Sequence, residues 1–380
     1  MLTLRGPGGY RCGAALHDLG LIEDGAVLIR DGVVDAVGPS RRLENLSDAR
    51  GALEIPAHGR VVMPGFVDQG LSLFVPEVKR RTYLQVRSDA ATMLRACLQH
   101  GTTSAEIDAG GNSSCQYDLP WIRQAIRVPQ NGDTVVGWRL ILNSGLNTQS
   151  DKESLVNQLK LVARRPEVRN ITLELEAGQD TDAVLEVIEE ATRYGFRVKL
   201  AGEPDTAERI LRDSRRLGCV SFTGHSAPAA DRLDVLAELG YPAVLRPQVD
   251  VVTAGGPRVD LQRFLASSGI PVLATGYHRL RNPGFSMQAV IALAVLGHQM
   301  PIEAAIVAAT INAACSLGRE GDRGSLEVGK RADLLILNVP DYREIPRQLG
   351  VNHMAMVMRR GVIVYNRTAW RSPAAAAAAT

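Results

Sequence analysis

The spacing of apolar positions changes period repeatedly along this chain, and each change predicts an element. Residues 1–60 read as short strands separated by turns. LIEDGAVLIRDGVVDAVG sets Asp24-Gly25 and Asp31-Gly32, both hairpin-type dipeptides, between β-branched runs. Further on, GTTSAEI (101–107) alternates as a strand, and ESLVNQLKLVARR (153–165) has helical spacing. NITLELEAG (170–178) is again strand-like, and DAVLEVIEEATRYG (182–195) is an amphipathic helix with a glycine stop. FRVKLAGE, DTAERILRDSRRLG, CVSFTGHS, AADRLDVLAELG, AVLRPQVD, DLQRFLASSG and IPVLATGYH repeat the unit. Strand–helix units at roughly 20–25 residues predict a parallel sheet covered by helices. Their number predicts a closed TIM-like (β/α)8 barrel in preference to an open sheet. Near the C-terminus, GSLEVGKRADLLILN and MAMVMRRGVIVYN return to strand patterning. Two β segments from opposite ends predict one small β-sandwich. The expected organisation is a composite β-sandwich of residues 1–62 and 324–368, a barrel of residues 63–323, and a flexible Ala-rich tail at 369–380.

Composition narrows the function classes. Aromatics are only 4% of the 380 residues, so the core is built from Val, Leu, Ile and Ala. A net charge of +2 argues against a nucleic-acid or membrane-surface role driven by electrostatics. Only 5 of the 43 basic residues are lysine, a bias that reads as GC-rich bacterial coding and not as phosphate recognition. Cys12, Cys97, Cys115, Cys219 and Cys315 are widely spaced without a CxxC, as expected for reduced thiols of a cytoplasmic protein. A charged, then apolar, leader pattern is absent at the start, so no signal peptide is expected. No apolar run approaches the ~18 residues of a membrane helix.

In a barrel of this kind the chemistry sits at the C-terminal ends of the strands. That rule selects Gly70, Ser72, Glu106, Asp108, Glu174, Glu176, Glu203, His225, Arg246 and the Gly276–His278 turn. Glu106 and Asp108 stand at i and i+2, so both point to one face of their strand. They could bind a hard cation or a cationic ligand, or form an arginine-paired rim. Glu174 and Glu176 share a face in the same way and predict pairing with inward arginines. Glu203 is a candidate partner for Arg246. Cys115 lies in a Gly/Ser-rich loop with no base beside it, which argues against a nucleophile.

Several strings carry a family resemblance. They are VVMPGFVDQGLSLF (61–74), GTTSAEI, LATGYHRLRNPGFSM (273–287) and the run from Gly324 to Asp333. All are similar to the amidohydrolase superfamily. The continuation through Asp341-Tyr342-Arg343 to Gly350-Val351-Asn352-His353 resembles the imidazolonepropionases, which open a ring in histidine breakdown. The resemblance implies a (β/α)8 barrel with a small β domain, a homodimer, and a single zinc or iron ion that polarises substrate and activates water. Such an ion brings the pKa of water from 15.7 to about 7.

Carried over position by position, the family's metal ligands fall on Gly70, Ser72, Ala201 and Gly276. Glycine and alanine offer no donor, and a serine hydroxyl is a weak ligand for zinc-type ions. The family's second histidine falls on His225, which makes it the candidate catalytic residue. Its carboxylate-binding Asn-Pro-Gly falls on Asn282-Pro283-Gly284, but five residues separate Gly276 from Asn282 where the family has one. Asn282, Gly284, His278 and Arg246 are therefore the candidate substrate-binding residues. Glu106, Asp108 and Glu203 are the candidate relocated ligands. Two readings follow. In the first, the chain is a catalytically degenerate homologue with no cofactor, binding a small molecule or a protein partner such as an active paralogue. In the second, it is an active hydrolase of C–N bonds in cyclic amides, with a relocated-metal (zinc or iron) or metal-free centre around His225. A purely structural subunit is a third class; it predicts an apolar outer patch and no formed pocket.

Overall fold

The computed structural model describes residues 2–4, 19–74, 82–111, 118–128, 133–142, 149–175, 178–202, 208–224, 230–252 and 261–368. The chain opens with β1 (Leu2–Leu4), β2 (Leu21–Ile22), β3 (Gly25–Arg30), β4 (Val33–Pro39) and β5 (Val61–Pro64). Between β3 and β4, Asp31 and Gly32 take φ of 51° and 80°, the left-handed pair of a tight hairpin. Only glycine fits at 32, because a Cβ there would lie 2.9 Å from the Arg360 carbonyl oxygen. The expected hairpin at Asp24-Gly25 does not form. β2 pairs with β1, and β3 pairs with β4 in a separate sheet. Asp24 still adopts a left-handed φ of 48°, so its dipeptide turns the chain from one sheet to the other.

Eight parallel strands follow: β6 (Phe66–Phe74), β7 (Thr102–Gly110), β8 (Asp133–Leu142), β9 (Val168–Leu175), β10 (Arg197–Gly202), β11 (Ser221–Gly224), β12 (Pro242–Leu245) and β13 (Ile270–Leu273). They pair in sequence order within one curled sheet. Helices cover its outer face. The helix Thr181–Arg193 buries Ala183, Val184, Val187, Ile188 and Ala191, an i, i+1, i+4, i+5, i+8 stripe. Each buried Val or Ile contributes roughly 1.5–3 kcal/mol of apolar burial. Asp180 caps the helix by accepting from the Asp182 amide at 3.0 Å, and Gly195 leaves it at φ 82°.

The sheet ends, β6 and β13, share no strand ladder, and the seam is closed by the residues that follow β13. Asp68 accepts from the Thr275 amide at 2.9 Å and from its hydroxyl at 2.7 Å. The Ser72 amide donates to the Tyr277 carbonyl at 2.9 Å, and Ser72 bridges His278.

The chain ends with β14 (Leu334–Leu337), β15 (Met354–Arg359) and β16 (Val362–Asn366). These join the N-terminal strands in a six-stranded sheet ordered β16-β15-β14-β5-β1-β2. Val27, Ile29 and Val37 of the β3–β4 hairpin pack across Val62, Leu334, Ile336, Met356 and Met358. This makes a two-layer β-sandwich beside the barrel sheet, the architecture expected from the two terminal β segments. Among the described residues no helix is long and apolar enough to cross a membrane.

Candidate functional site at the barrel mouth

Period-two alternation fixes which side chains enter the barrel. Glu106 and Asp108 point inward from β7, Thr172 and Glu174 from β9, and Lys199 and Ala201 from β10. On β6 the ladder to β7 is irregular between Asp68 and Leu71, a bulge at Gln69-Gly70, where Gly70 takes φ 71°. The bulge brings both bulge residues to the mouth. A cavity of about 450 Å³, part of it open to solvent, is lined there by Gln69, Gly70, Asp108, Arg139, Thr172, Lys199, Ala201, Thr223, Val244, Arg246, Ala274 and Gly276.

Behind this lining lies a charged layer. Glu106 is fully buried and accepts from Lys199 Nζ through one oxygen and from Asn170 Nδ2 at 2.8 Å through the other. Arg139 Nε donates to Glu174 at 2.5 Å, the inward arginine pairing expected for that glutamate. Gly137 makes room for the two β7 carboxylates. A Cβ there would stand 2.9 Å from Glu106 Oε1 and 3.1 Å from Asp108 Oδ1. Burial pushes the Asp108 carboxyl up to about 6, and neighbouring Glu106 adds to the rise, while Lys199 and Arg139 oppose it.

Three buried polar atoms on cavity-lining residues have no hydrogen-bond partner among the described residues: Gln69 Nε2, Asp108 Oδ1 and Thr172 Oγ1. Each such orphan costs about 1–3 kcal/mol unless a ligand or solvent satisfies it. Gln69 is otherwise anchored, its Oε1 accepting from Ser316 Oγ at 2.9 Å.

The structure gathers Asp108, Arg246, Gly70, Ala201 and Gly276 around this cavity. It sends the other candidates elsewhere. Asn282 Nδ2 is spent on the carbonyls of Thr275 (2.9 Å) and Gly276 (3.2 Å). The His278 ring accepts from the Leu280 and Arg281 amides, at 3.3 and 3.2 Å, and so caps its own turn. Gly284 sits against Gln248, where a Cβ would come within 2.5 Å of Oε1. Arg246 stays at the cavity and also donates to the Gly224 carbonyl. His225, Glu203, Glu176 and Cys115 lie outside the described residues. Gln69, Arg139, Thr172 and Lys199 escaped the sequence reading. Lys199 was the most legible of them, because it stands two residues before Ala201 on the same strand face.

The described residues do not fit a zinc or iron ion. At the family's ligand positions, Gly70 and Gly276 lack side chains and hold φ of 71° and 62°, a backbone region that residues with a Cβ rarely adopt. Arg246 also fills the room at Gly276, where a Cβ would lie 2.7 Å from its Cδ. Glu106 and Glu174 are committed to cations. No group of three His, Cys, Asp or Glu able to hold a metal gathers among the described residues.

Known proteins place this architecture. A model of the amidohydrolase family matches residues 275–365. An imidazolonepropionase of Symbiobacterium thermophilum is 29% identical over 403 residues, covering 94% of each chain. An imidazolonepropionase of Solibacter usitatus is 29% identical over 411 residues, covering 97% of each. Among solved structures, an amidohydrolase superposes with a TM-score of 0.71 at 16% identity, covering 96% of this chain and 98% of its own. A zinc-bound adenosine deaminase from Xanthomonas campestris does so with a TM-score of 0.68 at 19% identity, covering 94% of this chain and 93% of its own. The likeness to the imidazolonepropionases runs the length of the chain, and the fold agrees with that of the amidohydrolase structures: the chain is similar to the imidazolonepropionases in sequence and to the amidohydrolases in fold.

Proposed function

We propose that this chain hydrolyses a C–N bond of a small cyclic amide at the barrel mouth, with a centre made from its own side chains. The observation that carries the reading is the cavity itself. A structural subunit would be expected to fill its mouth, whereas this one keeps a polar cavity with a buried carboxyl, Asp108, facing cations. A carboxyl whose pKa is raised toward neutrality suits general acid–base work. The full-length relatives named imidazolonepropionase make imidazolone propionate and related cyclic amides the first substrates to try. Arg246 and the remaining N–H bonds of Arg139 and Lys199 offer donors to the acceptor oxygens of such a substrate. This reading also takes the chain as a cytoplasmic homodimer without nucleic-acid or membrane partners.

A second reading is favoured by one observation, the absence of any donor at Gly70, Ala201 and Gly276. In it the cavity binds a small molecule without turning it over, or the chain serves a protein partner such as an active paralogue. Ring-opening assays on chelator-treated protein, run across a panel of cyclic amides, separate the two. Turnover that survives chelation supports the hydrolase. Silence across the panel, with ligand binding intact, selects the binding protein. Stoichiometric zinc or iron that resists chelation overturns the metal-free centre.

A further inference from the structure

Two of the three orphaned atoms of the cavity differ in kind, and the difference has chemical content. Among the described residues, Gln69 Nε2 is a donor with no acceptor and Asp108 Oδ1 is an acceptor with no donor. Beside them Lys199 carries three N–H bonds, and its hydrogen bond to Glu106 uses one of them. Gln69 and Asp108 are 4% and 5% exposed, and both line the same space. Asp108 also reaches the Gly70 bulge, where a Cβ would lie 3.5 Å from its Oδ2. An occupant that satisfies all three groups offers acceptor oxygens on one side and an O–H or N–H on the other.

We propose that Asp108, Lys199 and Gln69 form the catalytic set for the hydrolysis proposed above, shaped to the tetrahedral species formed when water adds to an amide carbonyl. The inference rests on that reading and names its residues. Asp108, as carboxylate, takes a proton from water while the water oxygen bonds to the carbonyl carbon. The C=O electron pair moves to the carbonyl oxygen, and the resulting oxyanion accepts from Lys199 Nζ and Gln69 Nε2. The remaining hydroxyl of the adduct donates to Asp108. On collapse the C–N pair goes to nitrogen, which takes the proton held by Asp108. One amide and one water become one carboxylic acid and one amine.

The tetrahedral species bears both an O⁻ and an O–H. Inorganic phosphate near neutral pH shares that combination, whereas sulfate is tetrahedral and anionic but has no O–H. In the resting site Asp108 is a carboxylate, so it accepts from the phosphate O–H and repels sulfate. Calorimetric titration of the full-length protein with each anion at pH 7.5 tests this without any turnover. Phosphate is expected to bind at least about tenfold more tightly than sulfate. Asp108→Asn keeps the shape but presents an amide N–H. It is expected to weaken phosphate about tenfold or more and to tighten sulfate, reversing the preference. Because Lys199→Met alone strands a buried carboxylate, Glu106→Gln/Lys199→Met is the companion variant, expected to weaken both anions.

A merely structural Asp108 would alter the melting temperature and leave the phosphate-to-sulfate ratio unmoved. An unchanged ratio in Asp108→Asn overturns the proposal, as does equal affinity for the two anions or no phosphate binding at all. If the wild-type protein turns over a cyclic amide, Asp108→Asn is expected to lower kcat about 10²-fold or more with KM nearly unchanged. Turnover without phosphate preference sinks the assignment and spares the hydrolase reading. Phosphate preference without turnover sinks the hydrolase reading and leaves an oxyanion site.

Discussion

Replacing Lys199 by methionine probes how the barrel tolerates its buried charge. Lys199 and Glu106 have side chains 6% and 0% exposed, and the ammonium meets Glu106 inside the sheet. Methionine fills similar volume but leaves Glu106, among the described residues, with the neutral Asn170 amide as its side-chain donor. Stranding one partner of a buried ion pair costs about 3–5 kcal/mol. In a large domain each kcal/mol lowers the melting temperature by about 2 °C, so the loss is about 6–10 °C. Differential scanning calorimetry or urea unfolding measures it. Glu106→Gln/Lys199→Met removes both charges and is expected to recover most of that loss, because a neutral pair carries no ionic desolvation penalty. A single variant that melts within about 2 °C of wild type would refute the reasoning. So would a double variant as unstable as the single, since the damage would then be packing and not charge.

Asp68 supplies a pH test. Burial pushes its carboxyl up to about 7, against the pull of its bonds from Thr275. Its unfolded value is about 3.9, so the folded state binds the extra proton between those values and stability falls as pH rises from about 4 to about 7. Asp68→Asn is expected to flatten that slope, read as urea midpoints at pH 5 and pH 8. A wild-type slope retained in the variant would count against it. Gly276→Ala is expected to cost about 1–2 kcal/mol for its left-handed φ, with a further clash against Arg246. Adding Arg246→Ala relieves only the clash, and chemical unfolding of the single and double variants resolves the two parts. Gly65→Ala puts a Cβ 2.0 Å from Thr103 Oγ1 and is expected to cost roughly 1–3 kcal/mol. Thr103→Ala in the same chain should return much of it in the same assay.

The barrel was legible because its period is local. Each strand and helix announces itself within about ten residues, and the glycine stops at Gly195 and Gly218 separate them. The β3–β4 hairpin was legible for the same reason. Asp24-Gly25 misled because its dipeptide specifies a turn but not which strand the next segment will pair with. The site was only partly legible. Alternation placed Glu106 and Asp108 on one inward face, yet it could not tell that Lys199, on a strand 93 residues away, would neutralise the first and leave the second facing the cavity. Gln69 was hidden by the bulge, since strict alternation turns it away from the barrel if Gly70 faces in. Asn282 looked like a ligand-binding amide because of its Pro-Gly neighbours. In the fold it ties down the Thr275 and Gly276 carbonyls of the closing seam.

Arg246 beside Gly276 also bears on how this mouth can change over generations. A carboxylate placed at 276 meets the arginine side chain and a disfavoured backbone at once, so that single substitution is costly before it offers any ligand. Arg246 has to retreat first, and its retreat leaves the Gly224 carbonyl without that donor. Lone donors at Gly70 or Ala201 bring no ion either while the remaining ligand positions stay empty. The order of steps therefore works as a ratchet: a side-chain ligand at 276 is disfavoured until Arg246 has moved.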